Sequence, residues 1–225
     1  MEHLLDNPIF NALATGNQHL SNGDAQIKYF SKEVAPFVGL KITSAENFKA
    51  LYDIVPHEGP FVFFSTSKVD IPSPWQVLNV IPGYQMVYDG ATQPVDESIL
   101  TPLTDEHIPQ MVELTQLTNP GPFAQRAIDF GHYMGVFAGN KLVAMAGQRL
   151  NPSPYAEISA VCTHPDHTGK GYARQLMSYQ INRIKAEGNV PFLHVREDND
   201  RAISVYKTLG FEIRSDVYFN VLGKW

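Results

Sequence analysis

The strongest hydrophobic pattern in the chain spans residues 156–184, AEISAVCTHPDHTGKGYARQLMSYQINRI. Residues 156–163 are short, β-branched and mostly apolar, and Pro165 closes them off, so they predict a strand. From about Gly169 the pattern changes period. Ala173, Leu176, Met177, Gln180, Ile181 and Ile184 recur at spacings of three and four, the inner stripe of a helix. Strand alternation places Glu157 on one face with Ser159, Val161 and Thr163, and Cys162 on the other.

Before this unit, Asn7-Pro8 predicts a helix start and Gly16 its end. Residues 25–30 read as a strand, and Ser44 caps a helix to about Ile54. Residues 61–65, 77–81 and 83–88 are β-rich, the last expected to pair back on the others. Residues 89–102, with Pro94 and Pro102, have little apolar pattern and suit a linker. Thr104 caps a helix over 105–116, and a second helix is expected over 123–130. Residues 133–137 and 141–149 form a hairpin turned at Gly139-Asn140. After the central unit come a strand over 192–196, a helix over 200–209, and two strands, 211–214 and 218–222. The fold class is thus α/β: a mixed, mostly antiparallel sheet flanked by helices. It divides into an N-terminal α/β unit, 1–95, of no assignable role, and a second domain, 101–225.

A strand that turns through glycines into a helix leaves the helix's first N–H groups unpaired, and with the helix dipole they form an anion site. Gly169 and Gly171 leave room for a phosphate, and Lys170 adds charge. A nucleotide P-loop needs Ser or Thr after Lys, but Gly171 follows Lys170. A dinucleotide fingerprint needs a glycine at 174, which is Arg174. Four of the pattern Q/R-x-x-G-x-G/A fit residues 168–173, with Thr168 in place of Gln or Arg. Downstream, NDRAISVYKTLGF places Asn199, Ala202, Tyr206, Gly210 and Phe211 in a second spaced pattern.

The two patterns, in this order, resemble the acetyl-CoA loop and the C-terminal signature of the GNAT N-acetyltransferase superfamily, and PGPF, the strand EISAVCTHP and the C-terminal LHV…N look like a bacterial branch of it with an added N-terminal half. The resemblance covers about residues 101–225. It implies an acyl-CoA N-acyltransferase that passes acetyl from acetyl-CoA directly to a primary amine of a small molecule or peptide. The backbone N–H groups of Gly169, Lys170, Gly171, Tyr172 and Ala173 would face the pyrophosphate, and the pantetheine arm would lie along Val161, Cys162 and Thr163. Asn199 and Ala202 would contact the cofactor, Asn199 being equally a helix cap. Tyr206 would be the general acid, its alternative a packed core tyrosine. Glu157 is the candidate base if desolvation raises its pKa, its alternative an ion pair with Arg149. His132 and His164 are lesser candidates, and Phe123, Phe130 and Tyr133 either line the acceptor site or sit in the core. Two further readings stay open: a CoA-sensing interaction module, and a longer acyl-CoA as donor.

Charge adds one point. Residues 1–140 hold 6 Lys or Arg and 15 Asp or Glu, and residues 141–225 hold 11 and 8, so the net −6 divides as −9 and +3. A basic half suits an anionic cofactor and an acidic half a cationic amine. With no basic patch interleaved with aromatics, nucleic acid is not expected as a partner. No apolar run reaches about 18 residues and no secretory signal is read, so no membrane partner is expected. The single Cys162 forms no internal disulfide and is read as a small buried hydrophobe in a cytoplasmic protein. His164-Pro165-Asp166-His167 lacks a third ligand, and no metal is expected. An oligomer stays open.

Overall fold

In the computed structural model, which describes residues 3–225, the helix predicted from Asn7-Pro8 is α1, Pro8–Ala14. It is followed by short strands β1 (Asn22–Gly23), β2 (Ile27–Tyr29) and β3 (Val38–Leu40). Helix α2 (Ala45–Ile54) starts at Ser44, whose side chain accepts from the Asn47 N–H. Then come β4 (Gly59–Ser65), β5 (Gln76–Tyr88), β6 (Thr101–Pro102), α3 (Ile108–Thr118), β7 (Met134–Ala138), β8 (Lys141–Gln148), β9 (Tyr155–Thr163), α4 (Tyr172–Ala186), β10 (Val190–Arg196), α5 (Asp200–Leu209) and β11 (Phe211–Lys224).

Among the described residues, eight strands form one sheet in the order β4-β11-β5-β10-β9-β8-β7-β6, and β1–β3 form a small separate sheet. All neighbours are antiparallel except β9 and β10. The expected architecture is therefore present, but the expected boundary between 1–95 and 101–225 is not a boundary of the sheet. β5 lies between β10 and β11, and β4 flanks β11 on the other side. Residues 1–95 supply two strands to the same sheet that carries the glycine turn.

Two joins differ from the sequence expectation. Residues 77–81 and 83–88 are one strand, running through Pro82 and Gly83. Pairing of β5 with β10 stops at Gly83, so Pro82 sits where that side of β5 no longer needs a donor. Residues 211–214 and 218–222 are likewise one strand. The polar gap between them is a register shift from Ile213 to Ser215 that lets Arg214 turn inward to Gln85 and Asp6. The helix expected over 123–130 is only a 3-10 turn, Ala127–Phe130, behind an extended Pro120-Gly121-Pro122 run. Pro120 and Pro122 hold residues 119 and 121 out of the helical region, so the chain reaches Phe123 with no helical turn to extend.

Two apolar layers cover the sheet. One holds Leu5, Ile9, Met111, Leu114, Phe37, Phe64, Phe130, Tyr133 and Cys162, under α1 and α3. The other holds Ile158, Met177, Ile181, Ile184, Leu193 and Leu209, under α4 and α5. No described helix is long and apolar enough to cross a membrane.

Gly83 shows how closely β5 is built in. A Cβ there would lie 2.5 Å from the Val195 carbonyl oxygen and 2.6 Å from the Phe219 ring. Gly83→Val should lower unfolding free energy by about 1–3 kcal/mol, measured by chemical denaturation, with one cooperative transition. An unchanged value would mean that β5 is not packed as described.

Candidate active site

The parallel pairing of β9 with β10 is short. Val190, Pro191 and Phe192 oppose Tyr155, Ala156 and Glu157, and beyond that β10 pairs with β5 alone. The two strands separate in the middle of the sheet. At the same point β9 carries a bulge. Met145 pairs with Cys162 and Gly147 with Ser159, so two residues of β9 oppose one of β8. Ala160 takes φ 53°, a left-handed conformation that costs an alanine about 1–2 kcal/mol.

The bulge changes which face each side chain occupies. Glu157 and Cys162 both face the α1/α3 layer, while Val161 packs with the α4/α5 layer beside Tyr206 and Ala202. The simple alternation that set Cys162 opposite Glu157, and Val161 beside it, fails because the extra residue inverts the parity after Ser159. Cys162 is buried, and burial pushes its thiol up to about 12. It is a packing residue.

On the α4/α5 face, Gly169 and Gly171 adopt φ 77° and 79°, and a Cβ on either would meet nothing within 4 Å. Gly171 occupies the cap position of α4, and no side chain caps that helix. Its first N–H groups, at Tyr172 and Ala173, therefore open to solvent beside Lys170. Lys170 Nζ lies 3.3 Å from His167 and Lys141 Nζ 3.1 Å from His164, which makes the rim cationic. At the end of β9 on this side, Thr163 Oγ1 is buried without a hydrogen-bond partner among the described residues. An open glycine cradle and an orphaned hydroxyl at the end of the exposed strand edge fit an extended ligand with a phosphate head and a polar arm.

Tyr206 projects from α5 into the same layer, half-buried, its ring 6.2 Å from that of Phe211. Burial pushes its phenol up to about 12. Asn199 caps α5, its side chain accepting from the Ala202 N–H at 3.1 Å.

Glu157 does not have the environment of a base. Its side chain is 0% exposed, and it accepts from Arg149 Nη2 at 2.5 Å and Nε at 3.0 Å and from the Leu150 N–H at 3.2 Å. His194 Nδ1 stands 2.8 Å away. Burial alone would raise the carboxyl, but the Arg149 charge and these hydrogen bonds outweigh it and hold Glu157 down at about 2. The expected raised pKa is thus reversed, because the desolvated carboxylate has a guanidinium in direct contact. His194, with its ring 1% exposed, is pushed down by burial, and its Nε2 lies 3.0 Å from Gln85 Nε2, which donates to it. The proton consequently sits on Nδ1, toward Glu157. Gln85 in turn bonds the Leu5 carbonyl and Arg214, and Arg214 pairs with Asp6.

A cavity opens on the same α1/α3 face. Pro120, Pro122, Phe123, Phe130 and Tyr133 form its wall, and Arg149, Ser159 and Ala160 its floor. The three aromatics named from sequence thus lie together there. Arg149 was visible in sequence only as a partner for Glu157. Gln85 carried no motif, and His194 was visible only as the middle residue of the Leu193-His194-Val195 run, with no role attached. His132 faces Arg183 and His164 faces Lys141, and neither lines this cavity.

Because the folded pKa of Glu157 lies below its ordinary 4.5, its stabilising contribution is complete above that pH and is lost as pH falls toward 2. The shift corresponds to about 3 kcal/mol. Wild-type stability should fall by this extra amount between pH 4.5 and 2, relative to Glu157→Gln, in denaturant titrations. Parallel acid curves for the two proteins would contradict the assignment.

Comparison with known proteins bears on the whole arrangement. Residues 133–220 match the model of the FR47-like protein family. The chain is 36% identical over 84 residues to N-alpha-acetyltransferase RimI of Mycobacterium tuberculosis, covering 36% of this chain and 52% of that protein. It is 40% identical over 63 residues to an acetyltransferase of Yersinia pestis, 27% of this chain and 42% of the other. The chain thus spans about half the length of these curated relatives. A crystal structure from Novosphingobium aromaticivorans DSM 12444, of a protein assigned to the GNAT family of acetyltransferases, superposes with TM-score 0.92 and 30% identity over 100% of both chains. A GCN5-related N-acetyltransferase from Kribbella flavida shares the fold at TM-score 0.60 and 12% identity, over 96% of this chain and 95% of the other. The separated β9 and β10, the open glycine turn and the full-length likeness agree: the chain belongs to the GNAT family of acetyltransferases.

Proposed function

We propose that this protein is an N-acetyltransferase that moves acetyl from acetyl-CoA directly to an amine. The observation that carries the reading is the parting of β9 from β10 at the Ala160 bulge. The gap has the uncapped α4 terminus on one face of the sheet and the Arg149 cavity on the other. Cofactor and acceptor would approach a common gap from opposite faces, which suits a nucleophile entering and a thiolate leaving on different sides of one carbonyl carbon.

Each group has a defined task. The N–H groups from Gly169 to Ala173, with Lys170, bind the pyrophosphate. The pantetheine arm follows the exposed edge at Val161, Cys162 and Thr163, where Thr163 Oγ1 gains a partner. The amine nitrogen forms its bond to the thioester carbon as the carbon–sulfur bond breaks. The amine enters neutral, having lost its ammonium proton to solvent; on bond formation the nitrogen gives up one proton to water, the departing thiolate takes one from the Tyr206 hydroxyl, and water returns a proton to the Tyr206 phenolate. Burial raises the Tyr206 phenol, which keeps its proton at neutral pH but makes it a weaker donor than a free tyrosine, so its part as the acid rests on its place on α5 beside Val161. Glu157 holds Arg149 and takes no proton.

Calorimetric titration with acetyl-CoA tests the cradle. Wild type should bind at micromolar affinity, and Gly171→Glu should bind at least about tenfold more weakly, because it adds a carboxylate at an anion site. The side chain enters open space but the φ of 79° costs any residue with a Cβ about 1–2 kcal/mol, so the fold should hold with that loss, and Gly171→Ala, equally strained and uncharged, should bind more tightly than Gly171→Glu. Equal affinities would remove the loop from the site. Tyr206→Phe should lower kcat by about 100-fold and leave the acetyl-CoA Kd unchanged. Unaltered turnover would remove Tyr206 as the acid.

A further inference from the structure

Arg149 does more than neutralise Glu157. An arginine has five N–H donors. Nε and one hydrogen of Nη2 go to Glu157. Among the described residues Nη1 has no acceptor, yet it is not one of the buried polar atoms sealed without a partner. Its side chain is 14% exposed, and it forms part of the cavity floor beside Ser159 and Ala160. Among the described residues it is the sole charged one lining that cavity. The guanidinium is also stacked, with its central carbon 4.9 Å from the Phe37 ring centroid and 5.9 Å from that of Phe64. Held by Glu157 on one edge and by two aromatic faces, it keeps one edge oriented without ordering cost at the moment of binding.

The free edge of the guanidinium, its charge offset on the other edge by Glu157, offers only N–H donors and so nothing to an acceptor that carries only its ammonium. It would attract one that also carried an anion close to the amine. The cavity is a shallow, solvent-open depression with apolar and aromatic walls, across which a hydrophobic body could lie. We propose that Nη1 and the free Nη2 hydrogen of Arg149 bind the carboxylate of an amino acid with an apolar side chain, placing its amine toward Ala160. This deepens the acetyltransferase reading and rests on it for the chemistry. Arg149 and Ser159 lie diagonally on one face of neighbouring strands, about 7–8 Å apart at Cα. An α-amino acid, with carboxylate and amine on one carbon, can span from the guanidinium to the bulge.

The test reads binding separately from turnover. Product-like probes, N-acetyl-L-phenylalanine and N-acetyl-L-phenylalaninamide, are titrated calorimetrically into the full chain with CoA present. The carboxylate should bind about tenfold or more tightly than the amide, since a charge-assisted pair is formed by only one of them. Arg149→Lys retains a charge beside Glu157 but lacks the fork, and it should reduce that preference to less than about threefold. Equal binding of the two probes to wild type, or no binding of either, overturns the inference even if amine acetylation is found. An undiminished preference in Arg149→Lys overturns the assignment to Arg149. Thiol release from acetyl-CoA with L-phenylalanine and with L-phenylalaninamide, measured in parallel, tests the acetyltransferase reading on its own. Turnover of the amide alone would leave that reading intact and refute this one.

Discussion

A single buried carboxylate organises the centre of this molecule. Glu157 sits where β9 is about to leave β10, and its charge has no water to stabilise it. Moving such a group out of water costs several kcal/mol, so the fold must bring compensation to it. Arg149 comes from the end of β8, His194 from β10, and Gln85 from β5 behind His194. The constraint therefore reaches strands from both halves of the chain. Continuing through Arg214 to Asp6, it ties the first turn of the protein to the active face. Such an arrangement ties the strand registers to one another: shifting any of these strands by one residue would leave a charge or a donor buried alone.

The second constraint is geometric. The extra residue of β9 at Ala160 reverses which face each later side chain occupies. Glu157, Ser159 and Cys162 thereby end on the cavity side, with Val161 on the side of α4 and α5. A regular strand would put Val161 and Glu157 together and would leave β9 in register to continue pairing with β10. The bulge, the parting of the strands and the separation of cofactor and acceptor faces are one structural event. The left-handed backbone of an alanine there is strain held by the surrounding pairing.

The N-terminal residues take their meaning from these two features. Phe37 and Phe64 stack on Arg149, Phe30 packs edge-on against Phe130 of the cavity wall, and Gln85 sets the tautomer of His194. None of these residues forms a local motif. Gln85 acts because β5 is inserted between β10 and β11, Phe64 because β4 flanks β11, and Phe37 because it bridges to Val62 of β4.

Local physics settled a definite part of the structure. The caps at Ser44 and Asn199, the Gly139-Asn140 hairpin and the inner stripe of α4 depend on residues within a few positions of one another, and their patterns were legible in the sequence. So was the glycine turn, because only a residue lacking Cβ accepts φ near 78° twice within three positions. Long-range pairing decided the rest. Whether Glu157 is a raised base or a depressed ion-pair partner depends on Arg149 being within 3 Å, and on burial that no local pattern encodes. Likewise, 211–214 and 218–222 merged because Gln85 and Asp6, more than 120 residues away, receive Arg214. Period-two and period-3.6 patterns report which side of an element is buried, and they hold only while the count of residues per pairing is regular. At Ala160 that count changes by one, and from there the tertiary structure alone determines what faces the chemistry.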